Sequence, residues 1–158
     1  MCILTKKSRG FTLVELLVVI TIIGILVAMA IPAFAEYKKK ATYSRFLSEL
    51  KMAEKAFLAY NLESGSYPPD VNRGVTPAGM SASLDNFFQS ASAIGGTWDW
   101  DYKSQGGVTA GLSICNPILT VTEMQSVDRY LDDGDLNTGK FRYFDQGATK
   151  RYLYIIES

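Results

Sequence analysis

Carboxylates dominate the residues of this chain that could do chemistry. Its 158 residues include no histidine, which excludes His-based catalytic triads, most catalytic zinc sites and a histidine pH switch. In the run DDGDLNTG, Asp133, Asp135 and Asn137 match the first part of a D-x-D-x-N calcium loop. The loop glycine falls one place late, at Gly139, and the twelfth position is Phe144 instead of glutamate, which excludes an EF-hand. A calcium site and a solvated acidic turn both remain open for this run.

Glu15 is the other notable carboxylate, because it is the single charged residue in an apolar run from Phe11 to Ile31. A helix of these 21 residues spans roughly 31 Å, which is the thickness of one hydrocarbon core. An unpaired carboxylate in lipid costs on the order of 2 to 3 kcal/mol or more, so we expect a compensating partner. Gly24 weakens the helix and Pro32 removes a backbone donor, so we also expect flexibility between them.

A basic segment, MCILTKKSRG, precedes the apolar run. The order K-K-S-R-G/F-T-L-V-E, followed by an aliphatic helix and Pro32, resembles the type IV pilin and type II secretion pseudopilin family. The resemblance implies cleavage between Gly10 and Phe11 on the cytoplasmic side by prepilin peptidase, a membrane aspartyl protease, with N-methylation of the new terminus. It also implies a single-pass inner-membrane protein with a periplasmic head. An inner-membrane assembly platform would move it from membrane lipid into a homo- or hetero-oligomeric filament, and the chain itself would catalyse no reaction.

The resemblance bears on three further features. In family filaments the helix can lose regular hydrogen bonding in the region that corresponds to Gly24 through Pro32. Major pseudopilins of type II secretion bind calcium in the part of the head that corresponds to the acidic run, so calcium is the one cofactor implied. Cys2 lies in the leader, so the mature chain keeps only Cys115 and forms no internal disulfide. That absence favours a pseudopilin or minor pilin over a disulfide-closed adhesive pilin, and we expect the Cys115 thiol to be buried.

Elementary electrostatics gives Glu15 a role in assembly. Cleavage after Gly10 would create an α-amino group on Phe11. In a staggered stack of parallel helices, the Glu15 carboxylate of one subunit can reach the terminal amine of its neighbour, and each charge offsets the desolvation of the other. A broken pair in an apolar core costs about 3 to 5 kcal/mol, so the pair would enforce the register of assembly.

An ordinary signal or anchor segment is the alternative explanation of the N-terminus. The triplets at 28–30 and 33–35 both have the A-x-A form of a secretory cleavage site, which would release a soluble domain starting near Glu36. The apolar run is longer than the roughly 7 to 15 residues usual for such a signal, and a glutamate within it would be unusual. Charge counting leaves the topology open, because Lys38 to Lys40 and Arg45 follow the apolar run.

The charge balance argues against a nucleic-acid partner. The full chain carries 16 basic and 16 acidic residues. Without the three basic residues of the first ten, 13 basic residues face 16 acidic ones, so the mature net charge is 13 − 16 = −3. Neither balance gives a basic footprint for nucleic acid.

The helical pattern predicts one long helix in two halves, with a prepilin leader at 1–10 before it. Residues 11–35 form the transmembrane and assembly half, and residues 36–158 form the head, whose amphipathic helix covers 36–64 and ends before Gly65. The buried face of that helix is predicted from spacings of three and four residues, at Phe46, Leu50, Ala53, Phe57 and Tyr60.

The sequence pattern of the rest of the head predicts a pilin-like α+β fold. A short helix is expected at 82–90, and a second opens with a capping box at Thr122 to Gln125 and runs to about Leu131, burying Met124, Val127, Tyr130 and Leu131. Two hairpins within 97–158, with turns at 105–107 and 145–150, give an antiparallel sheet of about four strands. We expect Trp98 and Trp100 to pack under the long helix, against the alternative of a carbohydrate-stacking surface. Alternation also predicts one face shared by Val108, Ala110, Leu112 and Ile114.

Overall fold

A computed structural model describes residues 10–104 and 107–158, except for the side chain of Asp85. The predicted leader therefore lies outside the described residues apart from Gly10, and so does most of the predicted turn at 105–107. Contacts divide the chain into two compact units, with the boundary after Lys40. Each unit is described by itself below.

Helix α1 runs Leu13–Ser64, and its apolar half, up to Lys40, belongs to the first unit. Its large apolar side chains, from Phe11 to Tyr37, are all exposed, by between 45% and 82%. The helix is long and apolar enough to cross a membrane. It is continuous through Gly24 and Pro32, so the flexibility expected of that stretch stays a prediction.

The second unit begins with the amphipathic half of α1. Its buried side chains are Tyr43, Phe46, Leu50, Ala53 and Phe57. Four of these five belong to the predicted face, because apolar residues three or four apart lie on one side of a helix. The helix ends at Ser64 because Gly65 adopts a φ of 75°, which favours glycine, and donates its N–H to the Asn61 carbonyl.

A four-stranded antiparallel sheet completes the second unit, as predicted. The chain order is α2 (Ser81–Gln89), β1 (Thr97–Tyr102), β2 (Ala110–Cys115), α3 (Val121–Leu131), β3 (Phe141–Asp145) and β4 (Lys150–Glu157). In space the strands lie in the order β1-β2-β4-β3, so the two hairpins join through the pairing of β2 with β4.

Aromatic stacking holds α1 on this sheet. The Phe57 ring lies parallel to Trp100 with 3.6 Å between ring centroids, and Phe46 stacks on Trp98 at 5.5 Å. Both tryptophans are buried, and the Trp100 indole N–H donates to the Pro68 carbonyl at 3.0 Å. The packing interpretation of the tryptophans is therefore confirmed over a carbohydrate surface.

The structure corrects three local predictions. Helix α3 is capped by Thr120, which exchanges hydrogen bonds with Glu123, so the capping box at Thr122 to Gln125 is wrong. The spacing of both candidates is the same, but the chain turns from extended to helical at Thr120. Tyr130 is exposed, although it was predicted to be buried together with Met124, Val127 and Leu131. Val108 precedes β2, whose register shifts at its start, and it packs with Leu153 and Ile155 on the opposite face of the sheet.

Candidate assembly and cation sites

The predicted processing and assembly residues lie together at the start of α1. Gly10, Phe11, Thr12 and Glu15 line one surface depression. Thr12 donates to the Glu15 Oε2 atom twice, from its backbone N–H and from its hydroxyl, both at 2.8 Å. The Glu15 N–H donates to the Thr12 hydroxyl in return, at 3.2 Å. These bonds form a capping box at the helix N-terminus.

Thr12 is thus the partner of Glu15 within a single subunit. Sequence analysis predicted that Glu15 needs a compensating group but did not identify Thr12. The signal was present, because T-x-x-E at positions 12 to 15 is the spacing of a capping box. The carboxylate also lies in the first turn of α1, where the helix dipole favours negative charge.

The acidic run before β3 forms a hydrogen-bonded turn. Asp133 accepts from the Asp135 N–H at 2.8 Å and from the Thr138 hydroxyl at 2.7 Å. Asp135 accepts from the backbone and side-chain amides of Asn137, at 3.0 and 2.8 Å. The hydrogen bond from Thr138 lowers the pKa of Asp133. Two of the three predicted calcium ligands, Asp135 and Asn137, therefore bond to each other within the turn.

A different set of carboxylates converges in the same place. Oxygen atoms of Asp128, Asp132 and Asp133 all lie within 4.8 Å of one another. Asp132 also accepts a hydrogen bond from the Lys140 N–H. Only Asp133 is shared with the set predicted from the sequence.

Asp128 is the unusual member of this group. It lies in the last turns of α3 with 0% of its surface exposed, and neither carboxylate oxygen has a hydrogen-bond partner of normal geometry among the described residues. Burial, assisted by the charges of Asp133 and Asp132, raises the pKa of Asp128 to about 6, while the nearby Gly134 backbone acts more weakly in the opposite direction. A buried carboxylate without a partner is costly unless a cation or a proton neutralises it.

Little in the sequence predicts the burial of Asp128. Its one signal is the spacing to Asp132, since acidic residues four apart on a helix repel each other and need a reason to be there. Ca²⁺ prefers oxygen ligands, and carboxylates are among the commonest. The carboxylates of Asp128, Asp132 and Asp133, the first of which is buried and unpartnered, fit this preference.

A separate cluster of charged residues, all of them buried, lies on the face of the sheet away from α1. Arg151 donates to Asp101 at 2.6 Å and to Asp99 at 2.8 Å, and the Ser113 hydroxyl also bonds to Asp101. Burial, and then the charge of Asp101, raises the pKa of Asp99 to about 6. Because the carboxylates share one guanidinium, this cluster is an internal ion pair. The neighbouring Cys115 thiol is buried, as predicted, and burial raises its pKa.

The N-terminal region matches a known family model. The model, "Prokaryotic N-terminal methylation motif", covers residues 5–31. That range includes the residues on which the predicted cleavage and the Glu15 role depend.

Several characterised proteins are similar to the chain. The type IV major fimbrial protein FimA of Dichelobacter nodosus is 33% identical over 140 residues, which cover 88% of this chain and 81% of FimA. The type IV major pilin protein PilE of Neisseria gonorrhoeae is 35% identical over 110 residues, covering 69% of this chain and 59% of PilE. The type II secretion system core protein G of Escherichia coli (strain K12) is 39% identical over 71 residues, covering 45% of this chain and 48% of that protein. The chain thus spans about half the length of several of its curated relatives.

A solved structure shares the fold. The major type IV pilin PilA1 from Clostridium difficile superposes with a TM-score of 0.53 at 14% sequence identity, covering 77% of this chain and 98% of PilA1. The long helix on a four-stranded antiparallel sheet is therefore a pilin fold. Together with the extent of the match to FimA, this shows that the chain belongs to the type IV pilin and pseudopilin family.

Proposed function

We propose that this protein is a structural subunit of a type IV pilus-like or type II secretion pseudopilus filament, assembled through the apolar half of α1. The observation that carries the proposal is the exposure of every large apolar side chain from Phe11 to Tyr37. Such a surface is stable only in lipid or against other apolar surfaces. The names of the relatives, which are pilins and a secretion core protein, support the same function.

The proposed sequence of events starts in the inner membrane. Prepilin peptidase cleaves between Gly10 and Phe11, the new amine is methylated, and the head stands in the periplasm. The assembly platform then moves the subunit from membrane lipid into the filament, in the periplasm or at the cell surface. The work is mechanical, so we propose no catalysed reaction and no nucleic-acid partner.

Glu15 changes partners in this scheme. In the single subunit Thr12 holds its carboxylate through two hydrogen bonds of 2.8 Å. In the filament the amine on Phe11 of a neighbouring subunit would take over, because a full positive charge binds a carboxylate more strongly than a hydroxyl does. Incorrectly registered subunits would leave the amine unpaired, which is costly in an apolar core.

The intact mass and N-terminal sequence of the protein from cells that contain the peptidase test this function. We expect a chain that begins with methylated Phe11. A start near Glu36 would favour the exported soluble domain, and an uncut Met1 would favour a plain membrane-anchored domain. A Gly10→Leu variant is the matched control, because it should keep the leader and stay out of filaments.

We also propose that the head binds Ca²⁺, through Asp128, Asp132 and Asp133. The unpartnered carboxylate of Asp128, whose oxygen atoms converge with those of Asp132 and Asp133, supports this ligand set over Asp135 and Asn137. A bound cation would neutralise the cluster and fasten the loop before β3 to the end of α3. Thermal melting with calcium and with a chelator tests the proposal.

A further inference from the structure

The end of the exposed apolar segment carries an aromatic pair and a basic collar. The aromatic pair is Phe34 and Tyr37, which are 72% and 69% exposed. The basic collar consists of Lys38, Lys39 and Lys40, which follow directly and are also exposed. Aromatic residues followed by lysines are typical of the boundary between a membrane and water.

The position of the collar along the helix fits the headgroup layer. Lys38 lies 25 residues after Leu13, where α1 begins, so the helix rises about 38 Å between them. The hydrocarbon core is about 30 Å thick, and about 40 to 45 Å with both headgroup layers. If Leu13 lies at one edge of the hydrocarbon, the collar begins at the outer edge of the far headgroup layer, and its lysine side chains are long enough to reach back to the phosphates.

The arrangement of the lysines around the helix indicates the kind of partner. Consecutive helical residues are about 100° apart, so the three side chains spread over about 200° of the circumference. A protein partner approaching one side would meet only part of such a collar. Small anionic groups that surround the helix can reach all three lysines.

We propose that the basic collar binds the phosphates of anionic phospholipid headgroups in the leaflet on the head side of the membrane. This inference rests on the membrane-inserted stage of the proposed function. The collar sets the depth of the subunit in the bilayer and holds it there until filament contacts replace those with lipid. Each basic residue near an anionic surface favours binding by about fivefold.

Spin-labelled lipids test the proposal on the full mature chain in vesicles of phosphatidylcholine and phosphatidylglycerol. We expect labelled phosphatidylglycerol to associate with the protein about three to five times more strongly than labelled phosphatidylcholine. In the combined variant Lys38→Gln, Lys39→Gln and Lys40→Gln, the ratio should fall to about one. A control that removes three exposed lysines of the head, at Lys55, Lys140 and Lys150, should keep the wild-type ratio.

Each contrary result has a separate meaning. An inserted chain with a ratio of one, or a ratio unchanged in the collar variant, overturns the inference and leaves the proposed function standing. A preference that appears only at high protein density, together with cross-links between copies through the collar, overturns it in favour of a second copy as the partner. A mature chain that does not insert into vesicles overturns the membrane stage and the inference with it.

Discussion

The apolar half of α1 and the head differ in how their apolar surface is covered. In the head, α1 buries Phe46, Leu50 and Phe57 against the sheet, so apolar surface leaves water when the single chain folds. The first unit leaves Phe11 to Tyr37 exposed, so its apolar surface is covered only by lipid or by neighbouring subunits. The head therefore covers its apolar core within one chain, while the apolar surface of the N-terminal segment leaves water only on insertion and assembly.

The largest effect should come from damage to the head core. Phe57→Ala removes a buried ring that stacks on Trp100, and truncations of this kind cost about 3 to 5 kcal/mol of unfolding free energy. Urea unfolding of the protein in detergent micelles, followed by tryptophan fluorescence, measures the loss. Ile23→Ala is the matched control, and its head should unfold within about 0.5 kcal/mol of wild type. Equal losses for both variants would contradict the division between the two regions.

Glu15→Val should separate assembly from folding. The variant should be processed and inserted, but each subunit in a filament would leave the amine on Phe11 unpaired, at about 3 to 5 kcal/mol. Filament yield by electron microscopy should fall at least about a hundredfold, while the unfolding free energy of the head stays unchanged. Normal incorporation of Glu15→Val into filaments would remove the proposed role of this carboxylate.

How much the sequence predicts differs between the two regions for a physical reason. The features of the N-terminal segment are contiguous in the chain, so Gly10, Phe11 and Glu15 can be predicted as processing and assembly residues from their spacing. In the head, periodicity predicts the buried face of α1 and the four strands, and the glycine at position 65 predicts where the helix ends. These are also local signals, because each is set by neighbours within a few residues.

Features that depend on distant residues were missed. Arg151 bonds to Asp99 and Asp101, about fifty residues earlier, and no local pattern around these aspartates indicates that partner. The strand order β1-β2-β4-β3 brings them together through the pairing of β2 with β4. Asp128 was missed because its burial depends on how α3 packs, and the sequence shows only an acidic residue on an amphipathic helix.

Calcium and pH should act on the head alone. The pKa of Asp128 is about 6 in the folded head and 3.8 in its ordinary state, and Asp99 shifts in the same direction. Between these two pKa values the folded state holds protons that the unfolded state has released. Their contribution to the free energy of unfolding is therefore complete below about pH 4, and it is lost as the pH rises through about 6. Without calcium, the melting temperature should fall between pH 4.5 and pH 7.5.

Added calcium should restore part of the melting temperature that is lost as the pH rises. At a concentration 100 times its dissociation constant, a ligand stabilises the folded state by about 2.7 kcal/mol, and the gain should be larger at pH 7.5, where Asp128 has no proton to lose. Asp128→Asn should abolish the calcium response, and Asp135→Asn should keep it. The opposite pattern would restore the ligand set predicted from the sequence, and a melt that ignores both calcium and chelator would exclude the site.

The smallest expected effect concerns Thr12, and it distinguishes the two partners of Glu15. Thr12→Val removes the hydroxyl that caps α1, a loss of about 1 kcal/mol, so amide hydrogen exchange at the first turn should speed up about fivefold in the micelle-bound subunit. Thr12→Ser keeps the hydroxyl and should exchange like wild type. In assembled filaments the Thr12 N–H should lose protection relative to the Glu15 N–H, because the amine of a neighbour would then hold the carboxylate to which the Thr12 N–H donates in the single subunit. If the Thr12 N–H keeps its protection relative to the Glu15 N–H in the filament, Glu15 keeps Thr12 as its partner throughout, and the proposed exchange of partners on assembly is wrong.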